Sequence, residues 1–118
     1  MHGVGLDLLD IARLERALER RPRLAGRLFS DGELAYAATH ARPGQHLAAR
    51  FCAKEAVTKA LGLDVLRPLE IEVVRDAAGR PSVELAGAAA ARAQELGTTV
   101  LVTLTHTAVT AGAVAVAA

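Results

Sequence analysis

The chain has 118 residues, 52% of them hydrophobic but only 3% aromatic, and a formal net charge of +1. That length suits one domain spanning residues 1–118, and the near-neutral charge excludes reading the whole chain as a nucleic-acid binder. The lone Cys52 excludes an intrachain disulfide and points to a reducing, cytoplasmic setting. No basic segment followed by an apolar run opens the chain, and Asp7 and Asp10 interrupt its first apolar stretch, so neither secretion nor membrane insertion is expected. With so few aromatics, Ala, Val and Leu must build the core. Each buries little area, and association with copies of itself would bury more.

The first stretch, His2 to Leu9, reads as a strand ending near Asp7 to Asp10. From Ile11 the pattern turns helical, with Ile11, Leu14 and Leu18 on one face until Pro22. Arg23 to Ala37 reads as short helical turns, with Ser30 or Asp31 placed to cap the piece that holds Glu33. Arg42-Pro43-Gly44 reads as a loop, and a long helix is expected from about Gln45 to Leu61, stopped by Gly62. Leu69 to Val74 and Ser82 to Leu85 form strands around the turn Asp76 to Arg80. Ala86 to Leu96 is an Ala-rich helix ended by Gly97, and Val100 to Thr105 and Ala111 to Val116 are the closing strands. Strand, helices, hairpin, helix, hairpin is the order of an α+β domain with a mainly antiparallel sheet.

Four features could carry chemistry. On the long helix, Arg50 and Lys54 share a stripe, as do Glu55 and Lys59, amid Phe51, Ala53, Ala56, Val57 and Ala60. A solvated ion pair is the plain reading; charges on a mostly buried helix, however, need partners or a ligand. Asp7 is a carboxylate inside an apparent strand, either a strand-end turn residue or a metal ligand, and with Glu55 it would suit Mg2+ if the two elements pack together. His106 follows Val102-Thr103-Leu104-Thr105 at a strand end. It is either an ordinary turn residue or, with Thr107 beside it, a phosphate contact. Arg13, Arg16 and Arg20 form a basic stripe that is either a solvated face or a dock for an acidic helix. Residues 1–60 hold ten Lys/Arg against seven Asp/Glu and residues 61–118 four against six, which places the positive charge in the same half as that stripe. The remaining histidines show no ligand spacing for zinc, and Gly3-Val4-Gly5 lacks the third glycine of a dinucleotide fingerprint.

Together these segments resemble the holo-acyl-carrier-protein synthases, small phosphopantetheinyl transferases. Gly3-Val4-Gly5-Leu6-Asp7 with Leu9 to Leu14 is similar to that family's first strand and helix, and Leu28 to Leu34 to its phenylalanine-to-glutamate segment. Ala49 to Gly62 is similar to its signature helix almost position by position, Asp76 to Pro81 to its hairpin, and Val102 to Thr107 to its closing strand and histidine. Two departures stand out: Leu63 to Pro68 is shorter than the family's loop and lacks its glycines, and Asp10 stands where glutamate is usual.

The resemblance implies the 4′-phosphopantetheinyl transferase fold, with a mainly antiparallel sheet packed against a long helix. It implies transfer of 4′-phosphopantetheine from coenzyme A to a serine of an acyl carrier protein, Mg2+ as cofactor and 3′,5′-ADP as product. Asp7 and Glu55 are implied as metal ligands, and Lys59 as a phosphate contact that assists the leaving group. Arg50, Gly62, His106 and Thr107 are placed with the coenzyme A pocket, and Arg13, with Arg16 and Arg20, at the carrier-protein dock. Glu55 or a metal-adjacent water would serve as general base. Homotrimers with active sites between subunits are the family's habit. A non-catalytic coenzyme A or carrier-protein binder of the same fold is the alternative, and a structural oligomerisation domain a third.

Overall fold

A computed structural model describes residues 1–118. Its elements are β1 (Gly3–Asp10), α1 (Ile11–Arg20), α2 (Leu24–Leu28), α3 (Asp31–Ala38), α4 (Pro43–Ala60), β2 (Ile71–Arg75), β3 (Pro81–Leu85), α5 (Gly87–Leu96), β4 (Val100–His106) and β5 (Thr110–Ala117). The order matches the sequence expectation, and the helix signals fall where local chemistry puts them. Asp10 caps α1 by accepting from the Arg13 amide, and Ser30 caps α3 in a capping box with Glu33. Gly62, at φ 67°, ends α4 with paired bonds from its own amide to Lys59 and from Leu63 to Thr58.

Two boundaries differ from expectation. Pro43 and Gly44 are not a loop but the first turn of α4, where a proline costs nothing because that amide has no helical partner anyway. The strand expected from Leu69 begins at Ile71, and Pro68–Glu70 forms a 3-10 turn instead. That turn is held from outside. Lys54 Nζ donates to Pro68 O at 2.7 Å, and the Glu70 carboxylate accepts from the Ala88 amide at the start of α5.

The strands make two antiparallel sheets: β1-β5-β4 with β5 central, and the hairpin β2-β3. In the larger sheet Asp7 lies opposite Ala113, and Ala113 opposite Leu104. The inner face of β5 is a row of alanines, Ala111, Ala113, Ala115 and Ala117, all buried. Short side chains there let α4 settle close to the sheet. At Gly3 and Gly5 the approach is closer still: a Cβ on either would overlap the backbone carbonyl of Ala60 or Ala56. The two glycines therefore serve helix-on-strand packing.

α4 is buried along most of its length, and two of its charged residues go with it: Arg50 and Lys54 are 3% and 0% exposed. Lys54 has a complete set of partners. Its Nζ lies 2.8 Å from Glu33 Oε1 and also donates to Ile71 O, while Glu33 Oε2 accepts from the Val73 amide. This pair ties α3, α4 and β2 together. No helix is long and apolar enough to cross a membrane. Replacing Lys54 by Met strands the Glu33 carboxylate in the core, and urea unfolding should show a loss of about 3–5 kcal/mol. A loss well under 1 kcal/mol would mean that the pair does not hold these elements.

Candidate active site

β1 and α4 bring two carboxylates to one place. Asp7 alternates inward on β1, and Glu55 faces it from α4, so both line one shallow cleft with Leu8, Arg13 and Phe51. Lys59, one turn beyond Glu55, reaches the same spot: its Nζ lies 3.3 Å from Asp7 Oδ1 and 2.9 Å from Leu6 O. Partial burial raises the Glu55 carboxyl above its ordinary value, the Asp7 charge raises it further, and Lys59 offsets only part of this. A carboxylate pair with more negative charge than one ammonium balances is suited to a hard divalent cation, whose other positions phosphate oxygens and water can fill. Asp7 and Glu55 are thus the residues that fit Mg2+. No third His, Cys, Asp or Glu joins them in a self-sufficient metal cluster. Behind them Cys52 is fully buried, its thiol pushed up to about 12 by burial and then by Asp7, which makes it an inert core residue.

A second site lies elsewhere on α4. His46, Arg50, Arg75 and His106 line a pocket with no carboxylate in its wall. The Arg50 guanidinium stacks on the Tyr36 ring at 4.0 Å, and its buried Nε has no hydrogen-bond partner. Burial draws Arg50 below its usual pKa, and the nearby Tyr36 offsets part of that. The sequence pointed to Arg50 and His106 but not to His46, Arg75 or Tyr36. The available signal was His46, four residues before Arg50 and so on the same helical stripe.

The other expected residues are placed as follows. Gly62 is the cap of α4, 3.7 Å from the Arg92 guanidinium by the position a Cβ would take. The Thr107 hydroxyl accepts from the amides of Val109 and Thr110 and so shapes the β4–β5 turn. Arg13 borders the acidic cleft and also lines a groove with Ala17, Arg20 and Arg21. Arg16 does not line that groove, and Arg21 takes the place expected of it. The loop after α4, for all its lack of glycines, roofs a cavity between Leu63, Val65, Glu70 and Ala88.

A cleft with paired carboxylates and an ammonium, beside a groove of arginines, suits a phosphate-bearing ligand, and comparison with known families supplies the class. Residues 3–113 match the family model of ACPS, the 4′-phosphopantetheinyl transferase superfamily. The chain belongs to that family. It is 47% identical to the holo-[acyl-carrier-protein] synthase of Moorella thermoacetica over 94% of this chain and 89% of that protein. It is also 47% identical to the synthase of Streptomyces coelicolor, over 98% and 95%. Among solved structures, the Chronobacterium ammoniagenes ACPS–CoA complex superposes with a TM-score of 0.84 at 31% identity, covering 96% of this chain and 93% of that one. The protein is accordingly an enzyme, a phosphopantetheinyl transferase of the holo-[acyl-carrier-protein] synthase kind.

The acidic pair yields a pH signature. Because the folded-state pKa of Glu55 lies above its ordinary 4.5, Glu55 contributes stability below that value, and the contribution is lost as pH rises through the folded pKa. In EDTA, Glu55→Gln should therefore melt higher than the native protein at pH 7.5, with the gap closing below pH ~4. Added Mg2+ should raise the melting temperature of the native protein more than that of Glu55→Gln. Equal shifts in both would remove Glu55 from the donor set.

Proposed function

We propose that this chain catalyses the Mg2+-dependent transfer of 4′-phosphopantetheine from coenzyme A to a serine of an apo acyl carrier protein, releasing 3′,5′-ADP, and that it works in the cytoplasm as a homotrimer. The observation that carries the reading is the Asp7–Glu55–Lys59 cluster at the foot of a basic helix. In the reaction the serine Oγ–P bond forms as the P–O bond to 3′,5′-ADP breaks, and the serine proton passes to a base, either Glu55 or a metal-adjacent water. Such a transfer depends on positioning and on neutralising charge. Mg2+ held by Asp7 and Glu55 would polarise the phosphate under attack. Lys59 is half exposed, so its ammonium can turn from Asp7 to a phosphate oxygen and meet the charge on the departing group.

Arg50 and His106 are assigned to the phosphate-rich end of coenzyme A, with Thr107 holding the turn that carries His106 and Gly62 closing α4 near Arg92. Arg13 and Arg20, joined by Arg21 more than by Arg16, are assigned to docking of the acidic carrier protein. Arg13 stands where the carrier serine would enter the acidic cleft.

The placement of the two sites bears on assembly. Arg50 and Glu55 are five residues apart, hence about 140° apart around the helix, and the acidic cleft and the cationic pocket share no lining residue. One coenzyme A would span them most simply if the pocket of one copy completes the cleft of another. The outer face of the larger sheet supports this. Val4, Leu6, Leu8 and Leu101 are all more than half exposed, with Val114 and Val116 in register between them. An apolar sheet face of this kind is ordinarily covered.

Mass spectrometry of an apo carrier protein incubated with enzyme, coenzyme A and Mg2+ should show the phosphopantetheine mass gain. EDTA should abolish it, and Asp7→Ala should slow it by about 10²-fold or more. Reversing Arg13 and Arg21 to Glu should raise KM for the carrier protein far more than for coenzyme A. Coenzyme A binding with no transfer to any of several carrier proteins would overturn the reading. For assembly, sedimentation should show a trimer for the native chain and smaller species for Leu6→Glu; a native monomer would rule out the shared site.

A further inference from the structure

The cationic pocket holds more imidazole than anion binding alone requires. His46 lies on α4 with its ring 5.5 Å from that of His106, and a third imidazole, His40, stacks behind it at 3.9 Å. The groups facing His46 come from every side: Tyr36 from α3, His40 from the following loop, Arg50 from α4 itself, Arg75 from β2 and His106 from the end of β4. None is a carboxylate. The nearest buried one, Glu33, is already committed to Lys54 and the Val73 amide. Two guanidiniums therefore stand in the pocket with no counter-ion, one of them 3% exposed with an unpartnered Nε. A buried cation in that state calls for an anion.

These surroundings give the empty pocket and the filled one opposite effects on the same imidazole. Without a ligand, burial and then the charges of its neighbours hold His46 below its ordinary pKa, so it is neutral near pH 7.5. A phosphate dianion among Arg50, Arg75 and His106 reverses the local field and favours the imidazolium, which can then pair with it.

We propose that His46 is a proton-linked anion-binding residue: as a phosphate dianion enters the pocket, His46 takes one proton from solvent, so the pocket binds its anion more tightly as pH falls. The proposal rests on the reading that coenzyme A places a phosphate here. It makes His46 a determinant of preference for a dianionic phosphate over an uncharged group at the same position. A phosphomonoester has its second pKa near 6, so at pH 7.5 the ligand is already ionised and any proton uptake belongs to the protein.

The test is calorimetric titration of coenzyme A into the enzyme with saturating Mg2+ at pH 7.5, in buffers of different ionisation enthalpy. Roughly half a proton or more should be taken up per coenzyme A, and Kd should tighten by up to about tenfold from pH 8.5 to pH 7. His46→Gln should bind coenzyme A without that uptake, and His46→Arg should bind it with the pH dependence removed. No uptake by the native enzyme, or the same uptake in His46→Gln, overturns the proposal. Should coenzyme A not bind at all, the proposed function fails, and the switch is then decided by NMR titration of the His46 ring with inorganic phosphate. An upward shift of its midpoint supports the switch, and an unmoved midpoint overturns it.

Discussion

The closeness of α4 to β1 is the constraint on which the rest of the structure depends. Two missing Cβ atoms, at Gly3 and Gly5, let the strand run against the helix backbone at Ala60 and Ala56. Asp7 follows at the next inward position of the strand and so meets Glu55 and Lys59 near the C-terminal half of the helix. The row of buried alanines on β5 extends the same tight seat across the sheet. A core of small side chains thus has a purpose beyond filling volume: it sets the spacing at which side chains of a strand and a helix can share a ligand. What it lacks in buried area inside one chain, it leaves as apolar surface on the outer face of that sheet.

Charges adjacent in sequence along α4 have unlike environments. Lys54 is saturated by Glu33, Pro68 and Ile71 and leaves no proton to offer a ligand. Glu55, the next residue, opens to a cleft, and Arg50, one turn earlier on the stripe of Lys54, is buried with its Nε unpaired. Buried ions are tolerable only with partners. By that rule Lys54 is structural, whereas Arg50 and the Asp7–Glu55 pair are incomplete without something from outside the chain. The proposed coenzyme A, with its several phosphates, and Mg2+ would complete both.

The basic helix α1 connects these sites to the proposed partner. Its Arg13 borders the acidic cleft, while the other face of the helix is locked to the body of the protein through Glu15, which accepts from Arg42 at 2.8 Å. Arg42 in turn reaches Ala108 O in the turn after His106 and Thr107, and Gln45 reaches Thr107 O. Helix α1, the start of α4 and the histidine-bearing turn therefore form one hydrogen-bonded unit. A carrier protein on α1 would rest on an element already braced against the substrate pocket, which is what accurate placement of a serine requires.

Much of this was legible in the residue order. Periodicity marked the helices and strands in their correct sequence, Ser30, Gly62 and Gly97 marked caps, and the motif around Arg50 to Gly62, with Asp7 and His106, identified the family. These are local signals, fixed by backbone geometry over a few residues or by a pattern of types at set spacing. One boundary failed where distant groups intervened: the Lys54 ammonium and the Ala88 amide hold Pro68–Glu70 out of the strand. Spacing along the chain also could not separate Lys54 from Glu55, or bring His40, His46 and Arg75 to Arg50. Those outcomes depend on which side chains from distant segments arrive at the same depth. The sequence by itself determined the order of the elements and the family; only the tertiary structure decided which charges are satisfied within the chain and which have no partner in it, because burial and partnership belong to the packed chain and not to its local pattern.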